Sequence, residues 1–174
     1  MKISSRSIAE GERIPANNAM GVPGPEGPAP GPNKSPHLAW ADFPKETKSF
    51  AVVCHDPDVP SRGDDVNKAD RVVPYDLPRV DFYHWLLVDI APTTTELAEG
   101  SDSDGIVPKG KKPGKTANGV RGINDYTSWF GSDPVMGGNY GGYDGPWPPF
   151  NDERLHHYQF TVFALDVPSL GLPE

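Results

Sequence analysis

Four residues carry side chains suited to polar recognition or proton transfer at points where the neighbouring sequence could enclose them: Asp56, His84, His156 and Tyr158. Asp56 directly precedes Pro57, and the proline ring drives the residue before it towards extended backbone, so the carboxylate is held just beyond an apolar strand. His84 interrupts the apolar run VDFYHWLLVDI (80–90), where an imidazole needs a hydrogen-bond partner. His156 and its neighbour His157 follow a stiff Pro/Gly/aromatic stretch and open HYQFTVFAL (157–165), with Tyr158 on the same face as Phe160. The group suits a pocket for a small anion: one imidazole held by the carboxylate, the other presented as a donor, and aromatic walls that limit solvent. Asp56 by itself could simply organise its turn, and His84 by itself could be a core histidine with a carboxylate partner.

The elements that position these residues read as strands. SFAVVC (49–54) is a run of apolar residues, and His55 to Pro60 is expected to stop it abruptly. The 80–90 run places His84, Leu86 and Val88 on one face and Tyr83, Trp85 and Leu87 on the other. In the last strand Tyr158, Phe160, Val162 and Ala164 share a face. His37 to Trp40 can begin a strand, and Ile3, Ile8 and Ile14 fit one short strand or an arm over the core. Thr93 to Ala98 is expected to form a single helical turn, KGKKPGK (109–115) a solvated loop, and Asn118 to Gly122 a turn. The Pro/Gly punctuation of residues 15–36 predicts a surface excursion without regular helix or sheet. With helical periodicity scarce, the pattern favours a β-dominated sandwich or barrel with long irregular connections.

At 174 residues, the chain is expected to form one domain over 1–174. A formal charge of -8 disfavours a non-specific nucleic-acid surface. The single cysteine, Cys54, rules out an intrachain disulfide framework and points to a reducing compartment; its place at the end of an apolar strand reads as an ordinary buried thiol. No apolar stretch reaches 18 residues and MKISSRSIAEGERIP lacks the hydrophobic segment of a signal peptide, so the expectation is a cytoplasmic protein with at most peripheral membrane contact. Neither cofactor nor metal is expected. GKKPGKT (110–116) is one residue short of a phosphate loop and carries a proline in the turn. A calcium loop around Asp102-Ser103-Asp104-Gly105 would need carboxylates where Gly100 and Lys111 stand. There is no HExxH, and Cys54-His55 are too adjacent to face one zinc, which leaves only a spatial convergence of His84 and His156. Asn33-Lys34-Ser35 matches a glycosylation sequon that matters only if the chain is secreted.

Several pieces carry a family resemblance: PNKSPHLAW (32–40), KSFAVVCHDPDVPSR (48–62), HWLLVDI (84–90), GINDY (122–126), YDGPWPP (143–149) and LHHYQFTVFALD (155–166). In this order they resemble the phosphatidylethanolamine-binding protein family, also called the Raf kinase inhibitor protein family, and especially its bacterial branch. The resemblance implies a mainly β fold, with a large antiparallel sheet packed against a smaller one and short peripheral helices. It also implies a pocket for phosphate-like or carboxylate-like groups, with Asp56, His84 and His156 around the anion, Tyr158 nearby, and Gly145, Pro146, Pro148 and Pro149 shaping the rim. Departures fall at His157, where the motif commonly has arginine, and at Trp147, where a smaller residue is usual; both are candidates for the rim. Relatives commonly continue past the LDVPSLGLP stretch into a further helix and strand. The expected function is non-catalytic binding of a small anion or phosphate-bearing headgroup. Alternatives are a protein-interaction or kinase-regulating module and a hydrolase using the His/Asp cluster, although no GxSxG elbow or other nucleophile is evident. A protein partner and a homodimer are both compatible with the resemblance.

Overall fold

The computed structural model describes residues 1–25 and 27–172. Among the described residues ten strands follow one another: β1 (Lys2–Ser4), β2 (Gly21–Gly24), β3 (Gly27–Pro30), β4 (Leu38–Ala41), β5 (Ser49–Pro60), β6 (Arg79–Ile90), β7 (Glu96–Leu97), β8 (Gly114–Lys115), β9 (Val120–Arg121) and β10 (Gln159–Leu165). The described helical elements are a 3-10 turn at Ala16–Asn18 and the four-residue α1 at Tyr126–Trp129. No helix among the described residues is long and apolar enough to cross a membrane.

The principal sheet is antiparallel with order β10-β5-β6-β9-β8, and a smaller one has order β1-β4-β7. Leu38, Trp40 and Leu97 from the smaller sheet share one core with Phe50, Val52, Cys54, Trp85, Leu87, Ile90 and Val162 from the larger. Full burial of each large apolar side chain stabilises by about 1.5–3 kcal/mol, so this shared face holds the two sheets together. Their unequal size and the separate β2-β3 ribbon make the arrangement less regular than a simple sandwich, and it is not a closed barrel.

Several local expectations are corrected. β5 does not stop at Cys54 but runs on through Pro57 to Pro60. Pairing with β10 ends at His55, and a register shift separates Asp56 from Val59 on the β6 side, so the missing N–H of Pro57 breaks no ladder bond there. Residues 15–36 are not free of regular structure: β2 and β3 pair in register from Gly21↔Pro30 to Gly24↔Gly27. Proline is tolerated because this ribbon joins no other sheet. The expected helical turn at Thr93–Ala98 gives way to β7, where Leu97 pairs with Leu38 and enters the core; burial outweighs weak local propensity. The lysine-rich loop is not uniformly solvated, since the Lys111 side chain is only 9% exposed and pairs with Asp144. Asn33 fails as a glycosylation site: it is fully buried, and its amide donates to Asp144 and to the Gly105 carbonyl.

Candidate functional site

The decisive local event lies between β5 and β6. Cys54 is opposite Trp85 and His55 is opposite Tyr83, so one step along β5 matches two along β6 and His84 is the extra residue of a bulge. Bulges re-aim side chains, and this one turns His84 out of the ladder into a cavity of about 440 Å³. The imidazole is buried among Phe82, Tyr126 and Tyr158, with ring centroids 5.0, 5.5 and 5.2 Å away. Its backbone carbonyl accepts from the Asp144 N–H at 3.0 Å, while its Nδ1 donates to the Asp144 carbonyl at 2.7 Å. A carbonyl oxygen can only accept, so Nδ1 carries the hydrogen and Nε2 is the nitrogen left for the cavity. Burial lowers the His84 pKa; the Asp144 hydrogen bond and the charges of Asp56, Asp144 and Asp125 oppose this without reversing it.

Asp56 stands opposite Phe82, just before the second register shift, and is 1% exposed. Its Oδ1 accepts from the Asp58 N–H at 2.8 Å and its Oδ2 from His156 Nδ1 at 2.6 Å. The second nitrogen of His156, Nε2, donates to Asp152 Oδ2 at 3.1 Å. Two carboxylates therefore hold one imidazole as a doubly protonated cation. Burial disfavours that cation, but the hydrogen bonds and charges of Asp56 and Asp152 prevail and raise the His156 pKa. Asp152 is held in turn by Arg79, whose Nη1 and Nη2 donate to Oδ2 and Oδ1 at 2.6 and 3.0 Å. The result is a continuous array, Asp56–His156–Asp152–Arg79, behind one wall of the cavity.

A raised histidine pKa stabilises the fold only while the imidazole can be protonated. The contribution of His156 is complete below its ordinary value of 6.5 and is lost as pH rises through the higher folded-state value. His84 has the opposite sign and loses its contribution as pH falls below 6.5. Urea unfolding of the wild type and of His156→Gln should therefore show a stability difference that shrinks as pH is raised above 6.5. A difference that stays constant or grows with pH would rule out the doubly held cation.

The sequence candidates divide into cavity-lining residues and supporting ones. Asp56, His84, Trp147, Pro148, Pro149, His156 and Tyr158 line the cavity. Gly145 and Pro146 sit behind the rim: Tyr126 Oη donates to the Gly145 carbonyl at 2.8 Å, and the Met20 and Gly21 N–H groups donate to the Pro146 carbonyl. Gly145 is needed for close approach, because a Cβ there would overlap the Asn18 carbonyl oxygen and crowd the Met20 nitrogen. Gly145→Ala should destabilise by about 1–3 kcal/mol in urea unfolding, the usual cost of forcing extra volume against packed atoms. An unchanged midpoint would show that the backbone there can yield. His157 lies outside the cavity, its side chain 65% exposed and its Nδ1 donating to Asp58 at 2.8 Å. Trp147 packs on the β2-β3 ribbon, where a Cβ on Gly21 would strike its indole ring, and Pro28 of β3 completes that side of the cavity.

Other polar residues emerge only from the structure. Asp144 is a buried hub: its carboxylate accepts from Asn33 and Asn124 Nδ2, each at 2.9 Å, and from Lys111 Nζ at 2.5 Å. Arg79 and Asp152 form the end of the His156 array, and the Asp152/His156 spacing of four residues was the one available hint. Arg62, in the SR of DPDVPSR, lines the mouth and makes no ion pair among the described residues. The phenols of Tyr126 and Tyr158 have pKa values raised by burial and by nearby acidic groups, so both stay protonated. The Cys54 thiol is buried and its pKa is raised, first by burial and then by the Asp56 charge, which makes it inert. No group of three or more His, Cys, Asp or Glu side chains among the described residues could hold a metal ion.

Comparison with known proteins gives a consistent picture. The sequence profile described as phosphatidylethanolamine-binding protein matches residues 4–174. UPF0098 protein YbhB of Escherichia coli K12 is 29% identical over 180 residues, covering 100% of this chain and 84% of that protein. A UPF0098 protein of Aquifex aeolicus is 33% identical over 174 residues, covering 99% of this chain and 72% of its own length. Among solved structures, E. coli YbcL, described as a new member of the mammalian PEBP family, superposes with a TM-score of 0.66 at 29% identity, covering 98% of this chain and 80% of that one. The putative phosphatidylethanolamine-binding protein homologue CT736 of Chlamydia trachomatis, at 24% identity and a TM-score of 0.55 over 95% of this chain and 74% of its own, shares the fold. With a profile match that spans nearly every residue, and strands that carry its motifs into one cavity, the chain belongs to the phosphatidylethanolamine-binding protein family.

Proposed function

We propose that this protein reversibly binds a small anion, such as a phosphate-bearing group, in the cavity lined by Asp56, His84, His156 and Tyr158, and that it does so without catalysis. The observation that carries the reading is the convergence of a neutral imidazole and a phenol in one cavity of about 440 Å³, with the Arg62 guanidinium at the mouth. Such a volume falls in the range of small-molecule sites and leaves room for an organic substituent on the anion. Arg62 supplies attraction at the entrance, and the aromatic walls lower the local dielectric so that each polar contact counts for more. His156 is less a ligand than a brace, because both its nitrogens are committed to carboxylates. That commitment takes His156 out of any hydrolase role, since an imidazole with no free nitrogen cannot shuttle a proton, and leaves His84 Nε2 as the free imidazole nitrogen of the cavity. The reading sets the protein in the cytoplasm, a compartment with which a single buried thiol is compatible.

Titration with inorganic phosphate should move the His84 ring resonances saturably between pH 5 and 8, the range in which imidazoles change charge. His84→Gln should weaken that binding by about 10- to 100-fold, as expected for losing one hydrogen bond to a charged group. A folded protein whose histidine resonances do not respond anywhere in this range would defeat the proposal.

A further inference from the structure

The base of the cavity is unusual for an anion site because the free ring atom of its buried imidazole is an acceptor. The Nδ1 hydrogen of His84 is committed to the Asp144 carbonyl, which leaves a bare lone pair on Nε2. Asp56, lining the cavity from the adjacent strand, is a carboxylate whose oxygens already accept from Asp58 and His156, with the Tyr158 phenol as a further hydrogen-bond donor to it. A fully deprotonated oxyanion entering here would set its lone pairs against the Nε2 lone pair. An oxyanion that still carries one acidic hydrogen would instead donate it to His84 Nε2 while keeping its remaining oxygens for the donors at the wall and mouth.

Resting on the anion-binding reading above, we infer that the pocket selects its ligand by this proton: it accepts the monoprotonated form of a phosphate monoester and refuses a sulfate ester of the same shape. The groups facing His84 differ in sign, and His156, which lines the same cavity as a cation, is paired with Asp56 and Asp152. β5 brings Asp56, the segment before the prolines brings Asp144 with Lys111 paired to it, the start of α1 brings Asp125 and Tyr126, and the lead into β10 brings Tyr158. The three carboxylates favour a proton on Nε2, burial opposes it, and the balance lies on the neutral side. A ligand that supplies the hydrogen itself meets a site already in the right state. A sulfate ester would have to bring in a proton from solvent to make the same bond.

Phenyl phosphate and phenyl sulfate provide a matched pair. They are close in shape, and near pH 6 about half of the phosphate ester and all of the sulfate ester is monoanion, because a phosphate monoester loses its second proton at a pKa of about 6 while a sulfate ester has no acidic hydrogen left. Calorimetric or NMR titration at pH 6 should give phenyl phosphate at least a tenfold affinity advantage. Raising the pH to 8 should weaken phenyl phosphate by tens of fold as its monoanion is depleted, and should leave phenyl sulfate nearly unchanged. In His84→Gln the amide can turn either its oxygen or its NH₂ towards the ligand, so the preference should fall towards unity whatever the absolute affinities. Equal affinities for the two esters in the wild type, or phosphate affinity that rises with pH, would overturn the proton selection while leaving anion binding in place. Binding of neither ester by the folded wild type at either pH would instead defeat both the selection and the anion reading on which it rests.

Discussion

Arg79→Ala is expected to lower the unfolding free energy by about 3–5 kcal/mol, because it leaves two buried carboxylates, Asp56 and Asp152, sharing the single cation of His156. The side chains of Arg79 and Asp152 are 4% and 1% exposed, and the guanidinium grips both carboxylate oxygens. The same guanidinium donates to the backbone carbonyls of Asp58, Leu77 and Pro74, so it also ties the end of β5 to the segment that leads into β6. Removing it strands Asp152 next to His156 and loosens that connection. Replacing both partners, as in Arg79→Met with Asp152→Leu, should cost less than Arg79→Ala because no unpaired charge is left behind. Urea denaturation of the two variants at pH 7 measures the difference. A loss below about 1 kcal/mol for Arg79→Ala would mean that water reaches Asp152 and screens it as at a surface.

The second large effect is expected at Asp144. Asp144→Ala removes the acceptor shared by Asn33, Asn124 and Lys111, leaving an ammonium that is 9% exposed without its counter-charge and two buried amides with one bond fewer, since their amide nitrogens also donate to the Gly105 and Gly142 carbonyls. The expected loss is again about 3–5 kcal/mol, dominated by the unpaired charge. Asp144→Asn keeps the shape and an acceptor oxygen but abolishes the charge opposite Lys111, so its effect should lie between wild type and alanine. Lys111→Met alone should be milder than Asp144→Ala, because the carboxylate retains two amide donors. These comparisons separate the value of the charge pair from that of the hub. The His84 Nδ1 bond goes to the Asp144 backbone carbonyl, so in any folded Asp144 variant the His84 ring should keep its tautomer, which nitrogen-15 chemical shifts report.

The strands were legible because period-2 alternation and apolar runs are local properties of the chain. Phe160 and Val162 of β10, and Trp85 and Leu87 of β6, face the core as that pattern predicts. The end of β5 was not legible, because whether Pro57 breaks a strand depends on which neighbour faces its missing N–H, and that is a matter of pairing. The charged partners were obscured for a related reason. Lys111 in a lysine-rich loop and Asp144 in the glycine-rich stretch GGYDG (141–145) look like solvated residues until the fold brings them together from 33 positions apart. The ribbon at 21–30 was hidden by its own composition, since Gly and Pro mark turns on average but do not forbid a short two-stranded pairing.

By itself the sequence determined the family, the predominance of antiparallel sheet, and the chemical types that could meet: carboxylate, two imidazoles, phenol and aromatic wall. The tertiary structure decided which of them are free to act. Asp56 is turned to His156 rather than to His84, and His156 is held at both nitrogens. His84 reaches the cavity because a one-residue mismatch between β5 and β6 makes it the bulge. The physical reason is that alternation along a chain sets the face a residue would occupy in an ideal strand, whereas register and hydrogen-bond competition between distant segments set where it points and which atom remains unpaired.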